Sequence, residues 1–336
     1  MSAARPTADQ RGMTLVELMV AVVILGIVVA AAFSVAFSIM NSYREHRRAV
    51  NVERSARGAM AVLTEAVRNA SPGVPNGQII DLVGCEDTWH GIQVENSSTG
   101  PDALDIVYAT GDVMTSLTTT FDQASTELRV LDGSLFVPGN QVLVTDFTKG
   151  HLLTVLTVAQ AGPEWIIGLS GTPASLCAGV VGFTYDARAT VLRAQKARFS
   201  ISDVGGVPAL YMDPDGPSPG GPLEPEAVAE GVEDLQIAIG VDRDGDGRIG
   251  DDVAAGGDDD DWVYNHASDI NLPLLALTPY RAIRLTVIAR SLDDTTQVAT
   301  SLRAAAEDHA AAVAPDAFRR RNLSTTVEIR NLEGSP

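Results

Sequence analysis

From Leu18 to Met40 the chain carries no charged residue, an unbroken run of 23 positions dominated by Val, Ala, Ile and Leu. At about 1.5 Å per residue, a helix of that length spans the ~30 Å hydrocarbon core of a bilayer. The run therefore predicts a membrane-crossing helix. Beyond Met40 the pattern stays helical but becomes two-faced. Ala49, Val52, Ala56, Ala59, Leu63, Ala66 and Ala70 recur at spacings of three and four, with Arg44, Arg48, Glu53, Arg54, Arg57, Glu65 and Arg68 mostly elsewhere. One helix from about Met13 to Asn69, on the order of 85 Å long, accommodates both patterns. Ser71-Pro72-Gly73 ends it.

After Pro72 the period changes. Alternating or β-branched stretches appear at 103–110, 127–131, 141–147, 151–158, 182–187, 197–203, 234–242, 282–291 and 325–332, separated by Gly, Pro, Asp and Asn. The economical architecture is α+β: a long N-terminal helix whose second half packs on a mainly antiparallel β-sheet head. The divisions expected are 1–12, 13–40, 41–71 and the head at 72–336, with loops at 213–226 and an acidic loop at 241–261.

Charge narrows the partners. With 24 basic and 43 acidic side chains the net charge is −19, which repels phosphate backbones and argues against nucleic acid. Most of it is local: residues 213–261 hold sixteen carboxylates against Arg243 and Arg248. Elsewhere the charge is near balance.

One glutamate, Glu17, stands at the start of the apolar run, within RGMTLVELMVAVVILG. A secretory signal has a shorter apolar core of about 7 to 15 residues, with its cleavage site after it. Here the Gly12–Met13 junction precedes the run, so a cut there keeps the greasy segment on the mature chain. This arrangement resembles the class III prepilin signal of the type IV pilin superfamily: a short basic leader ending in glycine (Gly12), a first mature residue that becomes N-methylated (Met13), and glutamate at the fifth mature position (Glu17). The resemblance implies cleavage and methylation by a prepilin peptidase, and a helix that waits in the inner membrane before entering a filament core. It also implies a pilin-like head in the periplasm. Arg44, Arg47 and Arg48 after the span oppose the positive-inside rule for that orientation. The cleavage motif decides it. A buried carboxylate is tolerable when it meets an opposite charge, and the ammonium freed at Met13 of a neighbouring subunit is the partner expected for Glu17. At the position where many major pilins carry a helix-breaking proline stands Ser34, which leaves Gly26 as the weak point of the helix.

Cys85 and Cys177 are the only cysteines. An even pair in a periplasmic head suggests one disulfide, closing a loop of about 90 residues and adding about 4 kcal/mol; two buried free thiols are the alternative. VDRDGDGRIGDD, at 241–252, opens like a calcium loop. Asp242, Asp244 and Asp246 alternate before Gly247, and the Arg248 carbonyl falls at the seventh position. Val253 occupies the twelfth, where a bidentate glutamate is usual. Asp251, Asp252 or the Asp258–Asp261 run are left as substitutes. The expected cofactor is Ca2+; the alternative is a solvated Asp/Gly turn.

The C-terminal third resembles minor pilins of the PilW type. Val232, Leu235 and Gln236 match a strand that enters the Asp/Gly loop. Arg284, Arg290 and Ser291 match the strand after it, and Thr326, Val327, Arg330 and Asn331 match a terminal strand. This likeness implies a structural subunit, present at low abundance near a pilus tip with other pilins and minor pilins, that initiates or caps assembly. The head's size and acidity fit that, because such a domain repeated at every filament position would self-repel. His46, His90, His151, His266 and His309 form no compact metal pair, and no nucleophile elbow or phosphate loop appears. An enzyme is not expected. A minor pseudopilin of a type II secretion system and a calcium-dependent tip adhesin are the alternatives.

Overall fold

The computed structural model describes residues 13–72, 74, 78–82, 86–177, 182–214, 224–241, 249, 262–265, 280–292 and 301–329. The chain divides into two compact units between Val50 and Asn51. Helix α1 (Leu15–Arg68) begins in the first and ends in the second. It runs unbroken through Gly26 and Ser34, and among the described residues it alone is long and apolar enough to cross a membrane. In the first unit every side chain from Met13 to Arg44 is exposed, a contiguous and largely apolar surface of the kind that marks an interaction or membrane site.

Within the second unit the predicted helical stripe is buried: Val52, Ala56, Ala59, Leu63 and Ala66 face inward, and Val67, outside the predicted stripe, is buried beside them. The alanines allow close approach, and Leu63 fills the space between them. Helix exit is fixed by backbone bonds to one strand. Ser71 turns the chain at φ 51° and donates its N–H to Val107 O at 2.7 Å, while the Ala109 N–H reaches Asn69 O at 3.1 Å. Pro72 then disfavours helical geometry at Ser71.

The strands that follow are β1 (Gln78–Asp81), β2 (Glu86–His90), β3 (Ile92–Glu95), β4 (Ala103–Ser116), β5 (Phe121–Asp122), β6 (Glu127–Val130), β7 (Gln141–Thr145), β8 (Gly150–Ala161) and β9 (Glu164–Leu169). After a single helical turn α2 (Pro173–Leu176) come β10 (Thr184–Tyr185), β11 (Thr190–Val204), β12 (Val207–Asp213), β13 (Glu226–Glu230), β14 (Val232–Val241), β15 (Trp262–Val263), β16 (Tyr280–Arg290) and β17 (Arg320–Glu328). Among the described residues, pairing is antiparallel throughout except for β1 with β8. An α+β fold with a long N-terminal helix and a mainly antiparallel head is thus observed.

Within this mainly antiparallel head the strands divide into two lobes. In the first, β15-β14-β16-β17 form a four-stranded sheet. This sheet and the strands β3, β4, β11 and β12 enclose one core with the helix stripe, including Leu63, Leu104, Phe199, Leu235, Leu285 and Val327. In the second, β4, β11, β7, β8, β9 and β6 pair in succession, and the Leu117–Val130 bridge returns β6 to β4. Bonds from Leu131 N to Ser116 O (3.0 Å) and Thr118 N to Arg129 O (2.8 Å) complete a closed six-stranded barrel. Its interior holds a separate core of Leu128, Val130, Val142, Val144, Leu153, Ile167, Phe121 and Tyr185. The long strands β4 and β11 serve both lobes.

Gly231 joins β13 to β14 at φ 79°, and a Cβ there would lie 2.8 Å from Arg290 O. Its N–H reaches Pro208 O and its carbonyl accepts from Arg290 N, each at 2.7 Å. Only glycine fits both the left-handed backbone and that closeness.

Candidate functional site

The N-terminal end of α1 is a capping box. Thr14 precedes the first helical residue, and Glu17 stands three positions later. Glu17 Oε2 accepts from Thr14 N at 2.9 Å and from Thr14 Oγ1 at 3.0 Å, while Glu17 N donates back to Thr14 Oγ1 at 3.3 Å. The carboxylate therefore satisfies an orphan amide at the positive end of the helix dipole. Sequence reasoning missed this role, although T-x-x-E ahead of an apolar run is its signature. Met13 is exposed beside it; Gly12 lies outside the described residues.

The residues that carry the C-terminal resemblance build the first lobe. Val232, Leu235 and Val327 are fully or almost fully buried. Thr326 pairs with Arg284 across β16 and β17. The Arg284 guanidinium lies 4.4 Å from the Trp262 ring centroid, holds Glu307 through two bonds of 2.9 and 2.6 Å, and bonds Asn265. Arg290 stacks on Phe318 at 4.2 Å, and Ser291 exchanges bonds with Arg319 at 2.8 and 3.1 Å. These are cross-strand and loop-anchoring roles. Arg330 and Asn331 lie outside the described residues.

Strand β14 is buried along almost its whole length. The polar positions Asp234 and Gln236 consequently meet buried partners. Asp234 accepts from Arg303 Nη1 and faces His309 Nδ1, both at 2.9 Å. Gln236 Nε2 donates to Gly100 O and to Asp234 Oδ1, each at 2.9 Å. Asp102 accepts from Ser97 N and Ile237 N at 2.8 Å. Burial, followed by the nearby charges of Asp308 and Asp234, pushes the Asp102 carboxyl up to about 8 despite those two N–H bonds. In the barrel His151 is fully buried, bonded to the Tyr185 hydroxyl at 2.6 Å and stacked on Phe183 at 3.8 Å. Burial, then Lys149, pulls its imidazole down to about 3.

The two groups oppose one another in pH. Asp102 binds its proton more tightly when folded, so its contribution is full below its ordinary carboxylate value of 3.8 and is lost as pH rises through about 8. His151 binds its proton less tightly when folded, so stability falls as pH drops from 6.5 towards 3. Urea midpoints of the full chain should therefore decline on both sides. The alkaline side should lose roughly 1.4 kcal/mol per pH unit above 6.5, where His151 no longer offsets it, with the loss levelling off past about 8. An alkaline limb that stays flat would count against Asp102 as its source.

Asp242, Asp244, Asp246, Arg248, Asp251 and Asp252 lie outside the described residues, as does Cys85. Cys177 is buried and is not a free thiol, and its Sγ lies 3.6 Å from Leu82 O, three residues before Cys85 in sequence.

Residues 7–33 match the family model described as Prokaryotic N-terminal methylation motif, and residues 198–331 match the one described as Type IV Pilus-assembly protein W. No curated protein and no solved structure matches the chain. A methylation motif on a single apolar helix, continuous with a β-rich head, defines a membrane-anchored, type IV pilin-like subunit. The likeness to Type IV Pilus-assembly protein W covers the region from mid-β11 to the terminal strand. Most of the barrel lobe precedes that region.

Proposed function

We propose that the chain is a minor pilin: a non-catalytic subunit, cleaved after Gly12 and methylated at Met13 by a prepilin peptidase, that helps initiate or cap a type IV pilus. Other pilins and minor pilins are its partners, the head faces the periplasm, and the subunit sits near the pilus tip. The carrying observation is the methylation motif set in register with Glu17 on an exposed apolar helix. In a lone subunit Thr14 satisfies the Glu17 carboxylate; on assembly the Met13 ammonium of a neighbour takes over as its partner. Both matched families are structural components of pili, which supports the non-catalytic reading. A Cys85–Cys177 bridge is supported by the buried, non-free Cys177. Calcium at Asp242, Asp244, Asp246 and the Arg248 carbonyl, with Asp251 or Asp252, rests on loop spacing alone.

Deleting the gene tests the proposal. Surface pili should be lost and should return with the natural chain but not with Gly12→Leu, which blocks cleavage. Normal piliation with failed protein secretion would overturn it in favour of a pseudopilin.

A further inference from the structure

Tyr43, Arg44, Arg47 and Arg48 follow the apolar run, and the resemblance to pilins gives them no role. At about 100° per residue they occupy one arc of α1, roughly 140° wide. Tyr43 is 61% exposed, and the Arg47 guanidinium carbon lies 5.9 Å from its ring centroid. Arg48 donates to Glu45 at 3.0 Å. Arg44 and Arg47 are exposed and have no carboxylate partner among the described residues.

We propose that Tyr43, Arg44 and Arg47 form a docking surface for the anionic headgroups of phospholipids in the leaflet that faces the head. This rests on the membrane-anchored reading of α1. Depth supports it: the 27 residues from Glu17 to Arg44 rise about 40 Å, close to the ~40–45 Å of a bilayer with its headgroups. When the Glu17 end lies at one interface, Tyr43 and the arginines lie at the other. Tyrosine and arginine are the side chains suited to that level, the ring at the acyl boundary and the guanidinium on phosphate. Cations on this side run against the usual charge asymmetry. Anionic lipid offsets that disadvantage and sets the depth at which the subunit waits.

The full chain carrying Tyr43→Trp, which keeps the aromatic stack, tests this in bilayers of mixed phosphatidylglycerol and phosphatidylethanolamine. One lipid at a time is brominated near the headgroup end of its chains. The unsubstituted chain supplies the background from Trp89, Trp165 and Trp262. The indole introduced by Tyr43→Trp should be quenched preferentially by brominated phosphatidylglycerol, with an association preference on the order of fivefold per arginine. The preference should vanish in Arg44→Gln/Arg47→Gln and weaken with salt. Equal quenching by both lipids with the arginines intact would overturn the proposal. If that equality were accompanied by quenching that falls as protein is concentrated, the arginines would instead belong to carboxylates of a second copy. Absence of quenching by either lipid would overturn the membrane reading itself, a separately visible failure.

Discussion

Glu17→Gln should reduce recovery of the subunit in sheared pili by on the order of tenfold or more, the factor expected from losing one charge-assisted pairing. This substitution separates the two roles that meet at this position. Glutamine at the third helical position still accepts from Thr14 N, so the capping box survives. Only the charge is gone. Thr14→Val removes the hydroxyl that holds the carboxylate but leaves the charge, and should cost incorporation much less. Helical content in detergent, read by circular dichroism, should be nearly unchanged in both. If Glu17→Gln entered pili as well as the natural chain does, helix capping alone would account for the glutamate.

Leu63→Ala should destabilise the head by about 3 kcal/mol, the middle of the range for a fully buried leucine whose site cannot collapse. Leu63 is 0% exposed, in the core formed by the helix and the strands of the first lobe. Its neighbours are strands fixed by their own ladders, so the cavity stays open. The urea midpoint should drop with an unchanged slope. Val50→Ala, at a position 65% exposed, should change little. A Leu63→Ala midpoint equal to the natural chain's would mean that the helix stripe does not carry the head's stability.

Much of the helix was legible because its apolar spacing is local. The stripe from Val52 to Ala66 is buried as its spacing predicts, and Ala70 is buried just past the helix end. Strands with clean alternation, β4, β6, β7, β8, β14 and β16, fall where the pattern places them. Strand β12 was missed although Gly205 and Gly206, at φ 67° and 86°, supply the two-residue turn from β11. Strand β17 starts five residues earlier than expected, because an edge strand can carry Arg320, Arg321 and Asn322 without burying them. Ring closure was not legible at all: it depends on Leu117 meeting Val130 and on β7 lying between β8 and β11, contacts that no local period encodes. At the N-terminal site the processing residues and Glu17 stood out, while Thr14 did not, because a hydroxyl next to an apolar run carries no charge to draw notice.

The closed barrel also bears on how the head avoids unwanted strand pairing. A ring of strands offers no row of unused amides and carbonyls around its own circuit, so the six barrel strands themselves give a stray chain little to zip onto. Open borders remain among the described strands, at β13, β2, β15 and β17, and the one at β17 is guarded differently. Arg320 grips Glu233 and Asp316, and Arg321 reaches Glu53 at 2.8 Å, which places bulky ion pairs along the flank where an intruding strand would have to lie.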